Sequence, residues 1–246
     1  MNKIFVCTFN KKIFEINGQK LLNSYINTNQ KLPLYCYVED DISYYPKYPN
    51  VIFINLYDAQ PESKKFVERN LKKYEKLSKI SYLLDAVRFS FKVFAQNDAR
   101  KYGDHIFYID SDIEFLQFIP DTWFNECLPD KIFTAFYDRL GFYSETGFIG
   151  FNNLIKNKNN ERISDIFFQQ YTNYYIYDLI YSLPAFTDCH AFDATRWRFL
   201  FLERKTNEHG NYNEKKLGNW SIKRNMDVMK HDPFINKYLI HKKGEQ

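Results

Sequence analysis

The 246-residue sequence is poor in cysteine and has no long apolar run. Its four cysteines, Cys7, Cys36, Cys127 and Cys189, form no C-x-x-C pair, so the sequence indicates neither a zinc knuckle nor a disulfide framework. No apolar run approaches the roughly 20 residues that span a bilayer. The opening MNKIFVCTFN lacks the hydrophobic region of a signal peptide. We therefore expect a cytoplasmic protein, in the host cytoplasm if it is viral, with no membrane-spanning segment.

The net positive charge of the chain is concentrated near its end. Residues 203–246 contain ten Lys or Arg and six acidic residues, which accounts for the net charge of +4. A basic segment of this kind either contacts phosphate groups or forms a solvated face. The sequence alone leaves both interpretations open.

Apolar segments alternate with helical ones along the first half of the chain. Predicted strands are 3–10, 34–40, 51–56 and 105–109, and predicted helices are 13–27, 63–79 and 80–99. Nearly all-apolar strands that alternate with helices indicate an α/β fold, with a mostly parallel sheet covered on both faces. Further strands are predicted at 132–137 and 146–152, and a loop-rich segment at 203–230.

The predicted strand 105–109 runs directly into two aspartates. Asp110 and Asp112 are separated only by Ser111. Carboxylates this close repel, so one is expected to be protonated unless a cation lies between them. Ligands of parallel sheets bind at the carboxyl ends of strands, where these aspartates fall. The stretch therefore predicts a divalent metal site.

An apolar strand followed by D-x-D is compatible with other kinds of site. Phosphatases of the haloacid-dehalogenase type have such a stretch, usually near the N-terminus and followed by Thr or Val, whereas Ile113 follows here. Exonucleases of the DEDD type use D-x-E, which Asp112 and Glu114 match formally. An acidic turn that caps the next element is the structural alternative.

Four segments in chain order together resemble the GT-A glycosyltransferases. The D-x-D after the fourth strand is the first, and ETGFIGFN (145–152) lies where glycogenin-like families have an N-S-G strand. FTDCHAFDATRW (186–197) resembles their D-Q-D segment and, more loosely, the H-D-E-S-H-L-N segment of the blood-group transferases. HKKG (241–244) resembles their C-terminal H-x-x-G, and HDPFINKYLIHKKG (231–244) resembles the end of phage-type transferases.

This resemblance implies a GT-A fold, with a mixed, mostly parallel sheet flanked by helices in a single domain, 1–246. Residues 1–112 would bind the nucleotide sugar, and 113–246 would form the acceptor half with a C-terminal metal- and phosphate-binding segment. The implied activity is hexosyl transfer from a nucleotide-diphosphate sugar, most simply a UDP-sugar, with Mn²⁺ or Mg²⁺ as cofactor. The acceptor would be a hydroxyl of a glycan, a small molecule or a hydroxymethylated DNA base. No obligate protein partner is indicated.

The resemblance also assigns roles to individual residues. Asp110, Asp112 and His241 would bind the metal, and Asp188 would act at the reacting centre, with Thr187 as the N-cap of its helix. Residues expected to contact the donor are Thr8, Phe9, Asn10, Arg88, Lys92, Ser111, Glu145, Gly147, Lys242, Lys243 and Gly244.

Three features leave alternatives open. Arg88 and Lys92 share one face of the helix 80–99, which is either an exposed polar stripe or part of the site. Cys189 stands where the blood-group pattern has a glutamate proposed as nucleophile, so retention and inversion are both compatible with the sequence. A non-catalytic sugar-nucleotide-binding relative and a nucleotidyltransferase are the competing functions. The second is disfavoured because TFNKKIFEING (8–18) contains no glycine-rich phosphate loop.

Overall fold

The computed structural model describes residues 1–137, 139, 142–206 and 232–242. The strands are β1 (Lys3–Thr8), β2 (Leu34–Val38), β3 (Val51–Asn55), β4 (His105–Ile109), β5 (Ile113–Phe115), β6 (Thr134–Tyr137), β7 (Glu145–Asn152) and β8 (Leu239–His241). The helices are α1 (Lys11–Ile13), α2 (Gln19–Asn27), α3 (Leu56–Ala59), α4 (Pro61–Leu77), α5 (Ala86–Ala99), α6 (Asp121–Cys127), α7 (Ile163–Ile176), α8 (Asp188–Thr206) and α9 (Pro233–Asn236). A π-helical turn, Phe14–Gly18, joins α1 to α2.

Six strands form a mixed sheet in the order β3-β2-β1-β4-β7-β6. β1 pairs in parallel with both β2 and β4, and β2 pairs in parallel with β3. β7 is antiparallel to both of its neighbours, β4 and β6. This confirms the predicted α/β architecture with a mostly parallel sheet. Because the chain leaves β1 on one side and returns on the other as β4, a crevice opens at the carboxyl ends of these two strands.

The central strands are apolar on both faces because both faces are covered. Successive side chains of a strand point to opposite faces. In β1, Ile4 packs into the core beneath α4, α5, α7 and α8, whereas Phe5 packs into a second core beneath α2, α6 and α9. None of the helices in the described ranges is long and apolar enough to cross a membrane.

Several predicted boundaries differ from the structure by one or more residues. The helix predicted at 80–99 begins at Ala86, because the Asp85 side chain accepts a hydrogen bond from the amide of Arg88 (2.9 Å) and caps the helix there. Residues Tyr82–Leu84 form a 3₁₀ turn instead. The predicted loop 203–230 is wrong at its start, since α8 continues to Thr206. The rest of that prediction lies outside the described residues.

A two-stranded antiparallel sheet, β5 with β8, joins the last described residues to the turn after β4. The segment before β8 is anchored in the second core. The Trp123 ring stacks on Phe234 at 5.2 Å, and its Nε1 donates to the carbonyl of Phe234 at 3.1 Å. The hydroxyl of Tyr137 donates to Asp232 Oδ2 at 2.9 Å. These contacts hold β8 in place beside β5.

Candidate active site

The turn between β4 and β5 carries the two aspartates predicted as metal ligands. β4 is buried throughout, and Asp110 follows it at the edge of the sheet. The amide of Asp110 donates to the carbonyl of Gly147 at 2.8 Å, and the amide of Ile113 donates to the carbonyl of Asp110 at 3.1 Å. The tight turn leaves the carboxylates of Asp110 and Asp112 partly exposed in the crevice.

His241 reaches this turn through strand pairing. In the antiparallel ladder it lies opposite Ile113, and the next amide, that of Lys242, donates to the carbonyl of Asp112 at 2.9 Å. His241 Nε2 lies 3.2 Å from Asp112 Oδ1. A residue 129 positions later in the numbering than Asp112 thus becomes its neighbour.

The residues at this point fit a divalent cation. One ligand atom each from Asp110, Asp112 and His241 lie within 4.8 Å of one another. The buried Nδ1 of His241 has no hydrogen-bond partner among the described residues. A Cβ on Gly147 would lie 3.0 Å from Asp110 Oδ2, so only glycine leaves the carboxylate this room. Two carboxylates and one imidazole suit Mn²⁺, and the hard oxygens also suit Mg²⁺.

Each aspartate has a counter-charge of its own. Burial raises the pKa of Asp110, against the opposing effect of Lys92. Burial also acts on Asp112, but its interaction with His241 outweighs burial and lowers the pKa of Asp112. The pKa of His241 is raised, because its interaction with Asp112 outweighs the lowering effect of burial. Lys92 and His241 therefore oppose the repulsion between the two carboxylates that was expected from the sequence.

Lys92 bridges the turn between β4 and β5 and the predicted catalytic residue, Asp188. Its Nζ lies 2.8 Å from Asp110 Oδ1 and 3.1 Å from Asp188 Oδ2, and it donates to the carbonyl of Thr146 at 3.3 Å. Burial lowers the pKa of Lys92, but the two carboxylates outweigh burial and hold that pKa well above its usual value. Lys92 is thus a buried cation shared by two carboxylates.

Asp188 begins α8, and Thr187 caps that helix as predicted. The amide of His190 donates to Thr187 Oγ1 at 3.3 Å. The Asp188 side chain is fully buried, and its Oδ2 also accepts a hydrogen bond from Thr146 Oγ1. A carboxylate in the first turn of a helix is favoured by the helix dipole. Asp188 is therefore held by Lys92 and Thr146 beside the turn between β4 and β5.

Cys189 lies next to Asp188, and its Sγ is 3.1 Å from Thr146 Oγ1. Burial, followed by the charge of Asp188, raises the pKa of the thiol to about 12. Because the thiolate is the nucleophilic form, Cys189 does not replace the missing glutamate as a nucleophile at neutral pH.

The three residues at the end of β1 are used differently from one another. Thr8 Oγ1 lies 2.8 Å from the hydroxyl of Tyr108. The Phe9 ring is 3% exposed and belongs to the second core. Asn10 caps α1, since its Oδ1 accepts from the amide of Ile13 at 3.0 Å. Their predicted contacts with a nucleobase stay predictions.

Arg88 and Lys92, both predicted to contact the donor, differ in burial. Arg88 is exposed on the first turn of α5, while Lys92, one turn later, is buried beneath β7. Glu145 is also buried, and its Oε1 lies 3.8 Å from His241 Nδ1. Lys243 and Gly244 lie outside the described residues.

A cavity of about 200 Å³ opens beside the turn between β4 and β5. It is lined by Asn17, Lys20, Ser111, Asp112, Glu114 and Lys242. Lys20, on α2, was missed from the sequence because an exposed lysine on an amphipathic helix resembles any solvated position. Lys20 and Lys242 bring positive charge to the lining of the cavity, which favours an anion there.

A second missed residue is Glu39, which follows β2 at the same edge of the sheet. Burial, followed by the charge of Asp40, raises the pKa of Glu39 to about 8. The side chain of Asn10 hydrogen bonds with Glu39 and opposes this shift. The signal was the acidic pair at the end of LYCYVED (34–40), which followed a strand as Asp110 does.

A Gly147→Ala variant is expected to fold and to bind divalent metal about 10–100-fold more weakly. Its methyl group would meet Asp110 Oδ2 at 3.0 Å and His241 Cε1 at 3.4 Å. Titration calorimetry with Mn²⁺ measures the affinity. The matched control is Gly150→Ala, whose Cβ would meet the Phe107 ring at 3.1 Å. The control should lower the melting temperature without changing Mn²⁺ affinity, and equal affinities for Gly147→Ala and wild type would contradict a metal at this place.

No protein-family profile and no curated protein sequence matches the chain. Among solved structures, the chain is similar to mouse xyloside xylosyltransferase 1 in its apo form, with 10% identity, a TM-score of 0.48 and coverage of 90% of this chain and 85% of that one. It is also similar to the apo structure of the WbbM bifunctional glycosyltransferase, with 14% identity, a TM-score of 0.45 and coverage of 79% of this chain and 37% of that one. Likeness of this degree concerns the course of the backbone only.

Proposed function

We propose that the chain is a metal-dependent glycosyltransferase of the GT-A type. The donor would be a nucleotide-diphosphate sugar, most simply a UDP-sugar carrying a hexose, and the acceptor would be a hydroxyl group. The observation that supports this most directly is the cluster of Asp110, Asp112 and His241 at the crevice between β1 and β4, whose ligand atoms lie close enough together to hold a metal ion. Such a site, beside two lysines and a buried carboxylate, suits a diphosphate leaving group.

Transfer breaks the bond between the anomeric carbon and the diphosphate oxygen, and that electron pair leaves with the diphosphate. A bond forms between the acceptor oxygen and the anomeric carbon, and the hydroxyl proton passes to a phosphate or carboxylate oxygen. A divalent ion, when bound, neutralises the charge that builds on the leaving diphosphate. The donor set of Asp110, Asp112 and His241 would hold that ion.

The chain's own side chains divide the remaining work. Lys20 and Lys242 would bind the phosphates from the cavity beside the turn, with Ser111 between the two ligand aspartates. Lys92 holds Asp188 and Asp110 at a fixed separation. Asp188, buried beside Lys92 and Thr146, would supply a negative charge near the reacting sugar that stabilises the positive charge developing at the anomeric carbon.

Replacement of Asp188 tests this role. Asp188→Asn should lower kcat for transfer by about 10²–10³-fold, because the charge is lost while the shape is kept. Donor affinity in the presence of Mn²⁺, measured by thermal shift over a panel of nucleotide sugars, should change little. Asp121→Asn is the control, since Asp121 pairs with Lys3 at the other end of β1.

Two outcomes would contradict the proposal. A variant that keeps its turnover at saturation but loses donor affinity would assign Asp188 to ground-state binding. A wild-type protein that binds nucleotide sugars with Mn²⁺ but neither transfers nor hydrolyses them would be a non-catalytic binding protein.

A further inference from the structure

A group of aromatic side chains lies near the start of α8, the helix that carries Asp188. The Tyr143 ring lies against the His190 ring, with 4.6 Å between centroids. Tyr82 is 57% exposed, Phe142 is 51% exposed, and the hydroxyls of Tyr82 and Tyr143 interact. We call Tyr82, Tyr143 and His190 the aromatic platform. Exposed rings grouped in this way mark a surface that something covers.

The structure positions the Tyr143 side of the platform before anything binds. Asp193 accepts hydrogen bonds from both the amide (2.7 Å) and the hydroxyl (2.6 Å) of Ser144. Arg139 Nε donates to the carbonyl of Tyr143 at 2.8 Å, and its guanidinium lies 4.6 Å from the centre of the Tyr143 ring. The backbone that follows the Tyr143 ring is therefore held by Asp193 of α8 and by Arg139.

The Tyr82 side is held by its own turn. The Ser81 side chain accepts a hydrogen bond from the amide of Leu83 at 3.2 Å and caps the 3₁₀ turn. The amide of Phe186 donates to the carbonyl of Leu83 at 2.9 Å, which joins this turn to the segment entering α8. Two separate parts of the chain thus meet at the start of the same helix.

That helix start also carries Asp188, the residue proposed to act near the reacting sugar. His190 lies in the same first turn of α8 as Asp188. On the other side, Tyr143 precedes Thr146, whose hydroxyl donates to Asp188. The platform therefore adjoins Asp188 through both of the segments that hold it.

We propose that the aromatic platform binds a saccharide acceptor, with the C–H face of a sugar ring on Tyr82 and the sugar hydroxyls near Tyr143 and His190; this rests on the glycosyltransferase function. An apolar sugar face gains by covering an aromatic ring, while the hydroxyls around its rim hydrogen bond with Tyr and His side chains. A polynucleotide would need cations facing its phosphates. The Arg139 guanidinium is 2% exposed and donates to the carbonyls of Tyr143 and Ser144.

The state of His190 is consistent with an uncharged ligand. Burial lowers the pKa of His190, against the opposing charge of Asp193. The imidazole is therefore neutral at neutral pH; its Nδ1 lies 2.8 Å from Thr187 Oγ1, so Nε2 is the nitrogen that would hydrogen bond with a sugar hydroxyl.

Tyr82→Ala tests the platform with little risk to folding, because the side chain is largely exposed. Its ratio of sugar transfer to donor hydrolysis by water should fall about tenfold through a higher acceptor KM, measured with methyl glucoside, methyl galactoside and methyl N-acetylglucosaminide. Tyr82→Phe keeps the ring and should retain most of the ratio. Tyr177→Ala is the matched control, since Tyr177 is 67% exposed at the end of α7.

A binding measurement separates this inference from the proposed function. Saturation-transfer NMR with the same methyl glycosides should show contact with sugar C–H protons in wild type and loss of it in Tyr82→Ala. If glycoside contact depends on Tyr82 but the protein neither transfers sugar nor hydrolyses the donor, the glycosyltransferase function is rejected and the aromatic platform is retained. If the protein hydrolyses the donor but its glycoside contacts are unchanged in Tyr82→Ala, the aromatic platform is rejected and the glycosyltransferase function is retained. Transfer to hydroxymethylated oligonucleotides and to no glycoside would also overturn the saccharide assignment.

Discussion

An Asp112→Asn variant is expected to bind Mn²⁺ at least about 100-fold more weakly and to lose transfer activity in parallel. The substitution removes one of three ligand atoms that lie within 4.8 Å of one another. It keeps the size of the side chain and the backbone carbonyl that accepts from the amide of Lys242. The free energy of unfolding without metal should change by about 1 kcal/mol or less, because Asp112 is partly exposed and the buried His241 can lose its proton once the pair is gone.

Titration calorimetry gives the metal affinity, and a product assay over a range of Mn²⁺ concentrations gives the activity. Glu114→Gln is the matched control, since Glu114 follows on β5, lines the same cavity and is not in the metal cluster. Its Mn²⁺ affinity should stay near that of wild type. Unchanged affinity in Asp112→Asn, or full transfer in excess EDTA, would show that no metal acts at this turn.

The residues around Asp110 show how much of the site could be predicted from sequence. A run of apolar residues that ends in acids is a local signal, and it located β4 and the edge of the sheet correctly. The Thr187 cap is also local, since a cap and its helix are adjacent in the chain. Both were predictable because the interactions that cause them lie within a few residues.

The partners of these residues could not be predicted in the same way. Strand β8 pairs with β5 across more than a hundred intervening residues, and no local pattern records that pairing. Helix periodicity placed Arg88 and Lys92 on one face but not at different depths. Only the tertiary packing of α5 exposes Arg88 and buries Lys92 between Asp110 and Asp188.

That buried lysine is the source of the second large expected effect. Lys92→Met should lower the free energy of unfolding by about 3–5 kcal/mol, because it leaves buried carboxylates without their counter-charge. Asp188 has no exposed surface, so water cannot replace the lost cation there. Urea denaturation at neutral pH without metal measures the change. Lys65→Met is the control: its pair with Glu62 is solvent-exposed, and its loss should change stability by about 0.5 kcal/mol or less.

A second substitution distinguishes loss of charge from loss of packing. If the instability of Lys92→Met arises from the uncompensated charge of Asp188, then adding Asp188→Asn should recover part of it, and the two changes will not be additive. If it arises from packing, the double variant should be at least as unstable as Lys92→Met alone. A loss smaller than about 1 kcal/mol in Lys92→Met would mean that the bridge is no stronger than a surface pair. Lys92 would then hold neither Asp188 nor Asp110 in place for transfer.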